Sequence, residues 1–406
     1  MRRLLVRIVL GGLLLLALVS CAAILLTQRD LRNLPPPKIV LSDCPGHPPK
    51  VSVTTIIPAV TAHTIYASSG ENLYALNAQT GALRWCRQIA IGGDFVCPGS
   101  CPPPPSIMLG QPAVVDGVVY VCASGYGDGQ TYAFRASNGT QLWQAISDCL
   151  VGTMFSGQTA VPLVDHGIVY SGSVALGARD GRIVWATHVG GSSFVPQALA
   201  DGVLYANDAD SILALDADNG GVRWKYGPPG VTPGDRLAVA YGRVYVGVHG
   251  QGNALHVLDA ASGALLWTSA MAAASNPTVA NGMIYLGSWG NTLYALQAND
   301  GAVCWRYVAS VSIFTATTIA DGVAYVNLGG AYAFDATTGV VFWHRPLGAG
   351  ENVWFTPLAV AGNVVYLGRT DEEGQGTGTI YALNAATGAI YWQISGIQPN
   401  TPLVVA

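Results

Sequence analysis

The chain has 406 residues, 19 Lys and Arg against 23 Asp and Glu, and a net charge of −4. This balance leaves no basic stripe for nucleic acid to follow, so a nucleic-acid ligand is excluded. Low charge with 50 glycines fits a turn-rich β protein.

Residues 1–27 form a segment of their own. Arg2, Arg3 and Arg7 precede an uncharged apolar run from Ile8 to Leu26, long enough to cross the ~30 Å hydrocarbon core of a bilayer as a helix. Basic residues before the run place the N-terminus in the cytoplasm and everything after it on the extracytoplasmic side. The expected element is an uncleaved membrane anchor. Leu18-Val19-Ser20-Cys21 also resembles a lipoprotein signal, which would make Cys21 a lipidation site. The apolar run, however, continues through Ile24, Leu25 and Leu26, where such a signal turns polar. A cleaved signal peptide is the third reading. Residues 28–50, with Pro35, Pro36, Pro37, Pro48 and Pro49, read as an extended linker.

From residue 51 onward one phrase returns eight times: Ala-x-(Asp/Asn)-x-x-(Thr/Asn/Asp/Ser)-Gly-x-x-x-Trp, with substitutions at some positions. The first copy runs from Ala75 to Trp85 and the last from Ala382 to Trp392. The tryptophans are Trp85, Trp143, Trp185, Trp224, Trp267, Trp305, Trp343 and Trp392, each four residues after a glycine. Upstream of each lies an apolar stretch, an Asp-Gly-like turn and a β-branched pair ending in tyrosine, as in Pro112 to Tyr120 and Pro277 to Tyr285. Short Val/Ile/Tyr-rich runs joined by Asp-Gly, Asn-Gly or Thr-Gly predict hairpins. Two hairpins per repeat predict four strands.

The tryptophans stand 38 to 58 residues apart, the span of one propeller blade. A four-stranded sheet cannot bury both faces alone, whereas radial stacking does so. The reading is an all-β fold: an eight-bladed β-propeller with four-stranded blades over residues 51–406, preceded by one transmembrane helix. Trp is expected on each outermost strand, docking between blades with its indole N–H on a partner. Asn77, Asp216, Asp259, Asp335 and Asn384 are expected to cap the turn that follows them. Arg135, Gly177 and Gln297 stand at that place in the other blades. The ending Thr401 to Ala406 matches a further inner strand, and one arrangement sets it against the first blade with residues 51–57 displaced outward. The sequence leaves that open.

These residues resemble the tryptophan-docking motif of the pyrroloquinoline-quinone-type propellers, which include quinoprotein alcohol dehydrogenases and the non-enzymatic outer-membrane assembly lipoprotein of the BamB type. The resemblance covers essentially everything after residue 50. For an enzyme of that type it implies an adjacent Cys-Cys pair against the cofactor, an Asp base and a Glu/Asn/Asp calcium set. The chain has no Cys-Cys pair, and its blades are compact. The expectation is therefore a non-enzymatic binding scaffold without cofactor, engaging a protein or peptide. The alternative is a dehydrogenase using pyrroloquinoline quinone with calcium.

Candidate sites are few. Cys44, Cys86, Cys97, Cys101, Cys122 and Cys149 cluster in the linker and first two blades, several beside the insertion Phe95 to Ser106. An oxidising compartment makes them disulfide candidates of unspecified pairing. Cys304 reads as a small buried residue, and His249, His256 and His344 as isolated histidines. Asp371, Glu372 and Glu373 form the densest acid cluster. Their consecutive placement suits a solvated hairpin tip better than calcium, whose loops space their oxygens at alternate positions. Phe155, Phe194, Phe314, Trp354 and Phe355 stand just before inner strands, and Trp289 lies outside the docking phrase. These aromatics are candidates for one mouth of the central channel, where a partner segment would sit. Inter-blade packing is the competing reading.

Overall fold

The computed structural model describes residues 52–53, 63–89, 108–124, 129–149, 161–189, 193–208, 210–250, 253–269, 271, 275–288, 291–348, 353–371, 378–397, 399 and 401–406. They form eight antiparallel sheets arranged as the blades of a propeller. The expected anchor and linker lie outside the described residues. Among the described residues no helix is long and apolar enough to cross a membrane.

Turn chemistry draws each blade. In Asp116-Gly117, Asp201-Gly202, Asn281-Gly282 and Asp321-Gly322 both residues take positive φ, between 48° and 76°. That is the type I′ geometry whose twist matches a right-handed strand pair, and Asx-Gly adopts it at least cost. The second hairpin turns on the glycine of the repeated phrase, with φ between 67° and 75° in all eight blades. Ahead of it the Asx side chain caps the turn. Asn77 Oδ1 accepts from the N–H groups of Gln79 and Thr80, Asp335 Oδ1 from Thr337 and Thr338, and Asn384 Oδ1 from Ala386 and Thr387. These bonds hold the Asp335 carboxyl below its ordinary range, the N–H of Thr338 contributing most. At Asp216 the Arg223 guanidinium has the same effect, and at Asp259 the Ser262 hydroxyl. The carboxylates therefore serve turns.

Just before this turn the register of the outer strand pair shifts in every blade, for example between Ala75 and Leu76 and between Ala382 and Leu383. In seven blades the bulge sets the tryptophan opposite an alanine, as in Ala75 with Trp85 and Ala214 with Trp224, while in blade five Trp267 faces Val257.

The indole then leaves its own blade and lies on the glycine turn of the next. A Cβ built on those glycines would come within 2.5–2.8 Å of the neighbouring indole ring or, at Gly220, of the Thr187 hydroxyl beside it. Glycine is thus required twice, by its positive φ and by the ring above it. In seven blades Nε1 donates to a backbone carbonyl across the seam, such as Trp85 to Ala136 at 2.8 Å, Trp224 to Ala260 at 3.0 Å and Trp392 to Ala78 at 3.2 Å. The blade tyrosine often reaches the same carbonyl, as Tyr205 does on Ala260 at 3.1 Å. Burial pushes these phenols up, Tyr366 furthest.

One seam departs from the rule. Between blades five and six, Arg243 Nη1 and the Tyr245 hydroxyl occupy the Ala298 carbonyl at 2.8 and 3.2 Å, and Trp267 Nε1 is buried without an acceptor. An unpaired buried donor costs about 1–3 kcal/mol. Trp224→Phe removes a satisfied bond, whereas Trp267→Phe removes an unsatisfied group. Trp267→Phe is expected to destabilise less than Trp224→Phe by about 1 kcal/mol, read as urea midpoints at equal m. The reverse order contradicts this account of the seam.

The last residues close the ring. Val404 and Val405 pair with Tyr66 and Ile65 as the innermost strand of blade one, and the Ala406 carbonyl accepts from His63 and Thr64 at 3.0 and 2.9 Å. Ser52 and Val53 pair instead with Gln393 and Trp392, outside the outermost strand of blade eight. The core is a circle of clusters, each filled from two adjoining blades.

Candidate functional site

Hydrogen bonds identify the two ends of the ring. Ala136 N donates to Gly117 O, Ala217 N to Gly202 O and Ala336 N to Gly322 O. The first and third hairpin turns of a blade therefore share one end, the turn face. The connections between second and third strands, and those between blades, must emerge at the opposite end, the connection face.

Every aromatic and acidic candidate belongs to a segment whose flanking strands end at the connection face. Phe155 falls between blades two and three, Trp289 within blade six, and Glu372 and Glu373 within blade eight. These four lie outside the described residues. Phe314 joins blades six and seven and is 43% exposed. Trp354 belongs to Val353–Phe355, which pairs with Arg369, Thr370 and Asp371 on the second strand of blade eight. Only backbone is described at Trp354 and Asp371. Phe355 is half-buried against Leu347, Leu358 and Val365.

Phe194 departs from the expectation. It is 1% exposed and packs with Tyr170, Trp185 and Leu204 between blades three and four, while its N–H donates to Ser173 Oγ at 3.1 Å. It is therefore packing and offers no surface.

Cys122 and Cys149 form a disulfide between two fully buried positions. Cys86 is also disulfide-bonded, and Cys44, Cys97 and Cys101 lie outside the described residues. Cys304 is exposed and free, contrary to the buried expectation. It precedes Trp305 on an outermost strand, and strand alternation turns it outward as the indole turns in.

Sequence reading missed the polar groups at the rim of the connection face. Asp208 stands three residues after Tyr205 and receives Lys225 Nζ at 3.1 Å. Arg369 stands three residues after Tyr366, and its guanidinium lies beside Gly348, where an added Cβ would approach Nη1 to 3.0 Å. Aligning the blades on their tyrosines puts Asp208 and Arg369 in one column, on blades half a ring apart. That column was the available signal. On the innermost strands, Val114, Val164, Leu199, Val239, Val279, Ile319 and Val360 share one register level and pack, partly buried, against the inter-blade clusters.

Isolated histidines also find places in the scaffold. His256 Nδ1 meets the Tyr226 hydroxyl at 2.8 Å across a seam, and burial holds its pKa below the ordinary value. Among the described residues no three His, Cys, Asp or Glu side chains gather as metal ligands. The paired Cys122 and Cys149 are 27 residues apart, unlike the adjacent pair a quinone site implies.

Comparison with known proteins agrees with this architecture. The profile of a family described as outer membrane protein assembly factor BamB matches in overlapping segments from residue 42 to residue 399. BamB of Yersinia pestis is 26% identical over 46% of the chain and 54% of its own length. Tetrathionate hydrolase of Acidithiobacillus ferrooxidans is 25% identical over 76% of the chain and 69% of its own length. The chain thus spans about half the length of that BamB relative. Among solved structures, BamB from Moraxella catarrhalis superposes with a TM-score of 0.54 at 20% identity, covering 73% of this chain and 92% of its own. The computationally designed Ika8 protein gives 0.57 at 17%, covering 72% and 88%. With its eight docking phrases and a profile match from residue 42 to residue 399, the chain belongs to the BamB family of propellers.

Proposed function

We propose that this protein is a non-enzymatic scaffold, held at a membrane by its N-terminal segment, which binds a protein segment on the connection face of an extracytoplasmic propeller. One observation carries the reading: the repeated residues are consumed by seam contacts and turn caps, while the variable connections all open on one end. A rigid ring with variable loops on one face suits recognition. The BamB relatives, named as assembly factors, support a protein partner. Extracytoplasmic placement rests on Arg2, Arg3 and Arg7 ahead of the apolar run, and the Cys122–Cys149 disulfide is consistent with it.

Phe314 and Trp354 are the proposed contacts, with Phe155 and Trp289, in segments whose flanking strands end at that face, as further candidates. Aromatic anchors dominate many protein interfaces because they bury large area. The double substitution Phe314→Ala/Trp354→Ala should abolish co-purification of an envelope protein partner and leave the unfolding free energy within about 1 kcal/mol of the parent. Unchanged recovery of the partner contradicts the assignment.

The tetrathionate hydrolase relative supports a second, enzymatic reading. Turnover of tetrathionate, or dye reduction that depends on quinone, calcium and an alcohol, would replace the scaffold reading.

A further inference from the structure

In seven of the eight blades the outermost strand has, among the described residues, one paired edge and one edge facing outward. Blade eight shows what such an edge accepts: Ser52 and Val53 lie antiparallel along it, opposite Gln393 and Trp392. With that cover Trp392 is fully buried and Tyr391 is 7% exposed. On blade six the equivalent strand, Val303–Val308, has no such neighbour among the described residues.

The blade-six edge is neither short nor broken by proline; its bulge lies at the Val303 end, and Arg306 is its one charge. Natural edges are shortened, interrupted by proline or blocked by inward-pointing charge. Val303–Val308 has six residues without proline, and Val303 and Val308 are 54% and 68% exposed. By contrast, the blade-seven strand ends on Pro346, and the blade-three strand has four residues. Charge gives the edge a sign. The outermost strands of the eight blades carry no Asp or Glu. Arg306 is exposed and makes no ion pair among the described residues, unlike Arg223 and Lys225 on blade four.

We infer that the outer edge of blade six is a second binding site, which takes an extended acidic and aliphatic segment of a partner polypeptide as an added antiparallel strand. Main-chain hydrogen bonds hold the segment, as they hold Ser52 and Val53 on blade eight. Alternate side chains select it: an aliphatic residue beside Val303 or Val308 and a carboxylate beside Arg306. The site lies on the perimeter and is separate from the connection face, so either can fail without the other.

The test uses the full chain and a fluorescent peptide of alternating Glu and Val, six residues long. Two control peptides carry Lys in place of Glu or a central Pro. The Glu peptide should bind, and each control should bind at least tenfold more weakly. Arg306→Glu should reverse the preference between the Glu and Lys peptides without moving the unfolding midpoint. A Glu peptide bearing a thiopyridyl-activated cysteine should label Cys304 by thiol exchange, and Cys304→Ser should remove the label while binding persists. Equal affinity for all three peptides, or labelling indifferent to the Pro interruption, overturns the proposal. It is equally overturned if Arg306→Glu abolishes binding to phosphatidylglycerol vesicles while no peptide preference exists, since the edge would then face lipid.

Discussion

Trp392→Ala is expected to lower stability by about 3–5 kcal/mol, among the largest single losses in the ring. The indole is fully buried, donates to Ala78 O at 3.2 Å, and rests on Gly81, where a Cβ would come within 2.8 Å of it. Truncation to Ala opens a cavity at the seam between blades eight and one, the two ends of the described chain. Tyr366, whose ring centroid lies 6.1 Å from the indole, and Tyr391 would lose their packing partner. The Ala78 carbonyl keeps the Tyr366 hydroxyl at 3.1 Å, so cavity formation rather than an orphaned acceptor dominates the loss. Urea denaturation of parent and variant measures it. A loss below about 1 kcal/mol would show that closure does not depend on this docking contact.

Removing the Cys122–Cys149 disulfide should be nearly as costly. It joins the second strand of blade two to the segment leaving that blade, at a sequence separation of 27. Constraint of an unfolded loop of that length corresponds to about 3–4 kcal/mol. Both sulfurs belong to fully buried residues, so alanine is the appropriate replacement. Cys122→Ala/Cys149→Ala is expected to lower the urea midpoint accordingly, while Cys304→Ser, at an exposed free thiol, leaves it unchanged. Non-reducing peptide mapping of the parent should recover the 122–149 link. Equal midpoints for the parent and the double variant would show that the link adds nothing to stability.

The repeat architecture was readable because its contacts are periodic. A glycine four residues before each tryptophan encodes half of two seams: the turn that receives the preceding blade's ring and the ring that reaches the next blade's turn. Capping by Asn77, Asp216, Asp259, Asp335 and Asn384 was readable for the same reason, since its bonds are local. Ring closure was only half readable. The strand character of the last residues shows in their composition, but pairing Val405 with Ile65 joins residues far apart in sequence. The unusual seam at Trp267 depends on Arg243, in a different hairpin of the same blade, reaching a carbonyl on the next blade. No spacing rule reports that.

The candidate face was readable in position and less so in detail. Alternation of hairpin turns assigns the connections to one end. Whether an aromatic there turns inward, as Phe194 does, or outward, as Phe314 does, depends on how each connection settles over its seam. Cys304 shows the opposite error: alternation from Trp305 implies exposure, and general cysteine burial was the weaker argument.

The most direct test of the scaffold claim is site-specific photo-crosslinking in intact cells, with a photoreactive residue placed at Phe314, at Trp354 or at Tyr241. Tyr241 sits in a turn-face hairpin and is 62% exposed, so it reports the opposite end of the same ring. Binding at the connection face predicts a discrete protein adduct from positions 314 and 354 and none from position 241. An adduct from position 241 alone, or equal adducts from all three, would contradict it.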